Sequence, residues 1–153
     1  MEREEQENPL YDDNLGYLIG RSGRAMGRML TWHIEQAGYT GMTVEHWFVL
    51  KHLWQKDGRS QHELGKIAGK DKTGLSRAIS WLEKHNYVVR VPDRIDKRQR
   101  LIYLTQSGKD LEAILVPVAL KALSLARRDI PDNEISQCKS ILKKIYHNIK
   151  DFI

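Results

Sequence analysis

Apolar positions recur at helical spacing from Leu15 to about Ala37, where Leu15, Leu18, Ile19, Met26, Met29, Leu30 and Ile34 share one face. Asp12 and Asp13 precede the stretch and Gly38 closes it, so one long helix is predicted. Four glycines, Gly16, Gly20, Gly23 and Gly27, lie inside it. Each costs about 1 kcal/mol relative to alanine in a helix interior. Together they form a bare stripe, which predicts a packing groove for another helix, for instance one from a second subunit.

Thr43 is placed to cap a second helix, with Val44, Trp47, Leu50, Leu53 and Trp54 inward and Asp57-Gly58 as its stop. Ser60-Gln61-His62-Glu63 has the form of a capping box. It opens a short helix with Leu64 and Ile67 inward, broken at Gly69. A further helix runs from Asp71 to about His85, and Asp71 fits its cap. After Asn86 the period changes from helical to two. Tyr87 to Val91 and Arg100 to Leu104 read as strands joined by a polar turn, a hairpin with a long basic tip.

Thr105 to Gly108 starts another long helix, with Leu111, Ile114, Leu115, Val118, Ala122 and Leu125 inward and a kink expected at Pro117. Pro131-Asp132 restarts the chain into a last helix. Its apolar positions Ile135, Cys138, Leu142, Ile145, Ile149 and Phe152 form a heptad-like seam. Such a seam suits packing between subunits, and burial against the first helix would produce the same pattern. The fold class that results is mainly α with a small β-hairpin wing. It divides into an N-terminal helical region (1–42), a helix-turn-helix with wing (43–104) and C-terminal helices (105–153).

Charge placement changes the picture more than its total. The net charge is +5, yet the segment from Lys66 to Arg100 holds ten Lys/Arg against four Asp/Glu, leaving 15 basic and 16 acidic residues elsewhere. The excess positive charge thus sits in one central segment, which points to a polyanion. No apolar run is long enough to span a bilayer. Met1 to Asn8 is charged and polar, so no secretory signal is expected and a cytoplasmic address follows. The single cysteine, Cys138, excludes an intramolecular disulfide and a cysteine-rich zinc site, and is read as a small buried hydrophobe.

The helix from Asp71 to His85 carries the sharpest signal. Leu75, Ala78, Ile79 and Leu82 fall on one side, and Thr73, Ser76, Arg77, Ser80 and Lys84 on the other. That outer side lacks acids and large aliphatics. Short hydroxyls let a helix sit deep in a major groove, and Arg77 can fork onto a guanine edge. Lys70, Lys72, Ser60 and Gln61 are placed to add phosphate contacts. The tip, Asp93 to Arg100, adds Arg94, Lys97, Arg98 and Arg100, cations shaped for a narrow minor groove, with Asp96 expected to pair with Arg98 and hold its angle.

Residues 60–108 resemble the multiple-antibiotic-resistance regulator (MarR) family of winged helix-turn-helix transcription factors. The resemblance rests on Ser60-Gln61-x-Glu63-Leu64, Asp71-Lys72-x-x-Leu75-Ser76-Arg77, Leu82-Glu83, Tyr87-Val88-x-Arg90, Asp96-x-Arg98 and Leu104-Thr105-x-x-Gly108. Gly65 and Gly69 depart from the bulkier residues usual there and are expected to loosen the first helix of the motif. The resemblance implies a homodimer assembled by helices from both termini, two heads reading a pseudo-palindromic operator in double-stranded DNA, and tuning of that affinity by a ligand or oxidant.

Family members that sense peroxide carry a cysteine near the first helix, and none is there. Those that sense zinc use histidines on the second and fifth helices. Glu45-His46 resembles one half, but no histidine lies between His85 and His147. No metal and no cofactor are expected. A small aromatic or phenolic effector between the dimer region and the reading head is the remaining option, with Tyr17, Arg21, His33, His46 and Trp47 as candidate lining residues. Trp47 serves equally as core.

The expected function is therefore sequence-specific DNA binding by a homodimeric regulator, a repressor relieved by a small ligand. Residues 71–85 would read the major groove and 93–100 the minor groove. The alternative is a winged-helix protein-interaction module that has lost DNA binding. No phosphate-cradling glycine loop, cysteine-histidine pair or metal-ligand spacing suggests an enzyme.

Overall fold

The computed structural model describes residues 14–68 and 72–153. The expected caps at Asp12-Asp13 and Asp71, the break at Gly69 and the side chains of Lys70 and Lys72 lie outside the described residues. Helix α1 (Leu15–Gln36) is capped by Asn14, whose side-chain oxygen accepts from the Tyr17 N–H at 2.8 Å. It closes at Gly38 in a Schellman arrangement: the Gly38 N–H reaches Glu35 O at 2.9 Å and the Tyr39 N–H reaches Ile34 O at 3.3 Å. Helices α2 (Val44–Gln55), α3 (Gln61–Ala68) and α4 (Lys72–Lys84) follow, with a two-residue strand β1 (Arg59–Ser60) between α2 and α3. Strands β2 (Val88–Pro92) and β3 (Arg100–Leu104), then α5 (Gln106–Ala126), α6 (Asp132–Ile149) and one 3₁₀ turn complete the chain.

The predicted hairpin is one part of a three-stranded antiparallel sheet, ordered β1-β3-β2. Two residues are too few for alternation to register in the sequence, so β1 was invisible there. It exists because Arg59 pairs with Ile102 and Ser60 with Leu101. This pairing also remodels the expected capping box. Ser60 Oγ accepts from the Glu63 N–H at 2.9 Å, as predicted. The Glu63 carboxylate instead accepts from the Arg59 guanidinium at 2.7 Å. Pro92 is accommodated inside β2 because that strand is at the sheet edge.

One core joins α2, α3, α4, the sheet and α5. Leu50, Leu53, Leu64, Ile79, Leu82, Ile102 and Leu115 are fully buried in it, each contributing about 1.5–3 kcal/mol of transfer free energy. Leu75, Ala78, Ile79 and Leu82 are the buried face of α4, as its periodicity predicts. Other inward assignments need correcting. Ile67, Ile114 and Leu125 are exposed, and α6 buries no residue at all. Cys138 is exposed, not a buried hydrophobe. Those positions lie on stripes that this chain does not cover. The seam of α6 is not buried against α1, so that option falls away. Along the glycine stripe only Gly27 faces another element, where an added Cβ would lie 3.4 Å from Val44, and Gly23 faces open space. Helix α5 runs on through Pro117.

The Leu104-Thr105-x-x-Gly108 motif has a physical reason. Thr105 Oγ1 accepts from the Gly108 N–H at 3.1 Å, while its backbone N–H donates to Tyr87 O at 3.0 Å. The first turn of α5 then rests on the Tyr87 carbonyl. A Cβ on Gly108 would sit 2.1 Å from that oxygen, so only glycine fits. Trp54 Nε1 donates to Gly108 O at 2.9 Å, fastening α2 to the same point. The head and the long helix are thereby held at one junction. No described helix is long and apolar enough to cross a membrane.

Candidate nucleic-acid interface

The inner face of α4 is anchored in the core, so the outer one is presented. Thr73, Arg77, Ser80 and Lys84 are exposed and Ser76 is half-buried. Arg94, Asp96, Lys97, Arg98 and Arg100 are exposed on the turn between β2 and β3, and Ser60 and Gln61, half-buried, stand at the entry to α3.

The turn is a structured tip. The Asp93 N–H donates to Gln99 O at 3.0 Å, and the Gln99 N–H to Asp96 O at 2.9 Å. Asp93 Oδ1 accepts from the Ile95 N–H at 3.1 Å, and Asp96 Oδ1 from the Arg98 N–H at 3.1 Å. Asp96 therefore holds Arg98 through its backbone; the expected ion pair with its guanidinium does not form. That leaves the Arg98 charge available to a ligand, which strengthens the reading of the tip as cationic.

Arg90 links the two surfaces. The β2 register puts Val88 opposite Leu104 and Arg90 opposite Ile102, so Arg90 shares the inward face of the sheet. Its guanidinium donates to Ser76 O at 3.1 Å and to Ser80 Oγ at 3.0 Å, and stands 3.7 Å from Glu83. An inward arginine on a strand is normally costly. Here two acceptors and the Glu83 charge on α4 offset that cost, and the wing is set against the helix. Sequence reading counted Arg90 only as charge and as part of a motif; its inward register was the missing signal.

Acids near this surface are neutralised locally, Glu83 by Arg90 and Glu63 by Arg59 and Lys56. Among the described residues, Arg77, Lys84, Arg94, Lys97, Arg98 and Arg100 take part in no ion pair. Asp93 and Asp96 at the tip accept backbone N–H groups and are outnumbered by its cations, so the field over α4 and the tip is net positive.

The comparisons with known proteins match the segment that carries this surface. Residues 40–99 match the model of the MarR family. Over that segment the chain is similar to the MarR family. The family segment contains α2, α3, α4 and the tip. Among curated relatives, the chain is 28% identical over 114 residues to the transcriptional activatory protein BadR of Rhodopseudomonas palustris, covering 72% of this chain and 65% of BadR. It is 33% identical over 101 residues to the HTH-type transcriptional regulator TtmR of Methylorubrum extorquens, covering 66% and 50%. The chain thus spans between half and two thirds of the lengths of these relatives. Neither is named as an enzyme.

Solved MarR structures share the architecture. A MarR transcriptional regulator from Methanosarcina mazei superposes with a TM-score of 0.80 at 25% identity, over 90% of this chain and 97% of its own. A MarR-family protein from Listeria monocytogenes, complexed with 26mer DNA, gives 0.79 at 23% identity over 92% and 91%. BpsR of Bordetella bronchiseptica gives 0.79 at 20% over 88% and 94%; its structure concerns regulation of DNA binding by 6-hydroxynicotinic acid. At these identities the last two establish the MarR fold alone.

The candidate effector residues are scattered through this MarR fold. Tyr17 and Arg21 are on the exposed part of α1, and His33 Nδ1 is bound to Met29 O at 2.8 Å. Trp47 is half-buried against the core, edge-on to Trp54 at 5.5 Å. His46 is buried, and its Nδ1 accepts from the Thr43 N–H at 2.9 Å, completing the cap of α2. Burial holds its pKa below the ordinary histidine value, with His85 adding to the effect and Glu45 opposing it. An open groove of about 760 Å³ lies between α1 and the start of α2, lined in part by Arg24, Arg28, Trp32 and Val44. None of the five candidates lines it. Among the described residues, no three His, Cys, Asp or Glu gather as metal ligands.

Proposed function

We propose that this chain binds double-stranded DNA sequence-specifically as a homodimer and regulates transcription. The observation that carries this reading is the pair of cationic surfaces, the outer face of α4 and the β2–β3 tip, tied together by Arg90. In it, α4 enters the major groove, with Arg77 on a base edge and Thr73, Ser76, Ser80 and Lys84 on bases or phosphates. The wing, residues 93–100, places Arg98 in the minor groove, and Ser60, Gln61, Lys70 and Lys72 add phosphate contacts. The Listeria neighbour, crystallised with DNA, supports this use of the fold.

Exposed apolar residues support the dimer. Leu15, Trp32, Ile141, Tyr146, Ile149 and Phe152, on α1, α6 and the final turn, are each about half-exposed or more in the single chain. That is a large apolar area to leave in water, and a second copy covers it. Two heads related by a dyad then read a pseudo-palindrome. Repression relieved by a small aromatic or phenolic effector is the regulatory mode we infer. BpsR, whose DNA binding responds to an aromatic acid, supports it.

Selection of bound sequences from a random duplex pool, with sedimentation of the free protein, tests the reading. A two-fold site with half-sites about one helical turn apart and a dimeric mass are expected. Enrichment of no sequence, and no duplex shift at low salt, would instead favour a protein-interaction module.

A further inference from the structure

Ile95 is 96% exposed, more than any other large hydrophobic residue described. It is not a side chain on a loose loop. The Asp93 carboxylate holds its N–H, and the Asp96 and Gln99 hydrogen bonds close the turn on either side. The branched side chain is stiff, so little conformational freedom remains to be lost on contact. Arg94, Lys97 and Arg98, all exposed, share the tip with it, against two acids, Asp93 and Asp96, whose carboxylates accept backbone N–H groups of the turn. An apolar group on a net cationic tip is a poor fit for an apolar protein surface. It fits a surface whose rim is anionic and whose wall is apolar, which describes the minor groove: phosphates at the edge, deoxyribose carbons within.

We propose that Ile95 is the apolar contact that seats the wing, packing against the deoxyribose walls of the minor groove while the flanking cations engage the phosphates. This rests on the DNA-binding reading above. It assigns to the tip a shape-dependent contribution that its charges alone do not supply.

The test uses the full-length protein and its selected duplex, with binding followed by fluorescence anisotropy across a salt series. Ile95→Ala should weaken binding about tenfold while leaving the salt slope unchanged, because no charge is altered. Ile95→Val should retain most of the affinity. Replacing adenines beneath the wing by 2,6-diaminopurine adds an amine to the minor groove and leaves the major-groove edge intact. Wild type should lose about tenfold on that duplex and Ile95→Ala less than about twofold, a coupling that only a shared contact gives. Equal binding of wild type and Ile95→Ala overturns the proposal, as does equal loss by both on the modified duplex. A change in dimerisation with DNA affinity intact would assign Ile95 to a second copy and overturn it as well. If wild type binds no duplex at all, the DNA-binding reading fails and takes this proposal with it.

Discussion

Arg90 on the wing donates to the hydroxyl of Ser80 on α4 at 3.0 Å, and this bond couples the two elements that would touch DNA. The same Nη2 also donates to the Ser76 carbonyl, while Nη1 faces Glu83, so the joint holds more than one point on α4. Arg90→Lys keeps the charge and loses the planar group that serves the two serine oxygens and Glu83 at once. It should weaken duplex binding about tenfold with little change in thermal stability. Anisotropy and circular dichroism melting, run on the same samples, check this; unchanged affinity would mean the wing is positioned by other contacts.

Arg77 and Arg98 should fail differently. Arg77→Ala should remove the proposed base-edge contact, costing about 1–3 kcal/mol on the preferred site and blunting discrimination between sites. Arg98→Ala should weaken binding to all sequences and lower the salt slope by about 1. Competition between specific and random duplexes at several salt concentrations separates the two.

Gly108→Ala drives a methyl group into the Tyr87 carbonyl, which belongs to the backbone and cannot swing aside. A loss of about 2–4 kcal/mol is expected, read as a lower denaturant midpoint. A stability within 0.5 kcal/mol of wild type, roughly the effect of a neutral surface change, would refute the close packing of that junction.

Gly65 is the contrasting case. A Cβ there would meet only Leu75 at 3.7 Å, an ordinary contact. Gly65→Ala should therefore stabilise α3 by about 0.5–1 kcal/mol. The looseness expected from this residue is a helix-propensity cost that alanine recovers, measurable as a higher melting temperature.

His46 should make stability depend on pH. Its folded pKa is depressed by burial, so the unfolded chain binds the proton more readily. Stability is then level above the ordinary histidine value of about 6.5 and falls as pH drops below it, until the folded pKa is passed. Protonation at Nδ1 also abolishes the acceptor for the Thr43 N–H. His46→Gln keeps an acceptor at that cap position and removes the titration, so its melting temperature should fall less between pH 7 and 5. Parallel slopes for the two proteins would exclude His46 as the source.

Much of the helical framework was legible because single helices bury one face each and the spacing of apolar residues records that. The buried side of α4 came from Leu75, Ala78, Ile79 and Leu82, and the cationic outer side came with it. Residues bonded across distant elements were not legible. His46 looked like a ligand-lining side chain, yet it caps α2 and lies against Trp81, 35 positions further along the chain, at 4.3 Å between ring centroids. Cys138 and Ile114 are apolar and periodic, and periodicity marks a face to be covered without saying whether the same chain covers it.

The amino-acid order by itself determined the helices, the basic centre, the exposed cationic face of α4 and the resemblance to a known family, since each depends on neighbours within a few turns or on a linear motif. Tertiary structure alone decided that Arg90 points inward to α4, that Arg59 and Ser60 become a third strand, that Asp96 grips backbone instead of a guanidinium, and that Gly108 must lie against Tyr87. All four depend on strand register or on close approach between distant segments. A one-residue shift in register would reverse which side chains face in, and no local pattern of hydrophobicity carries that information.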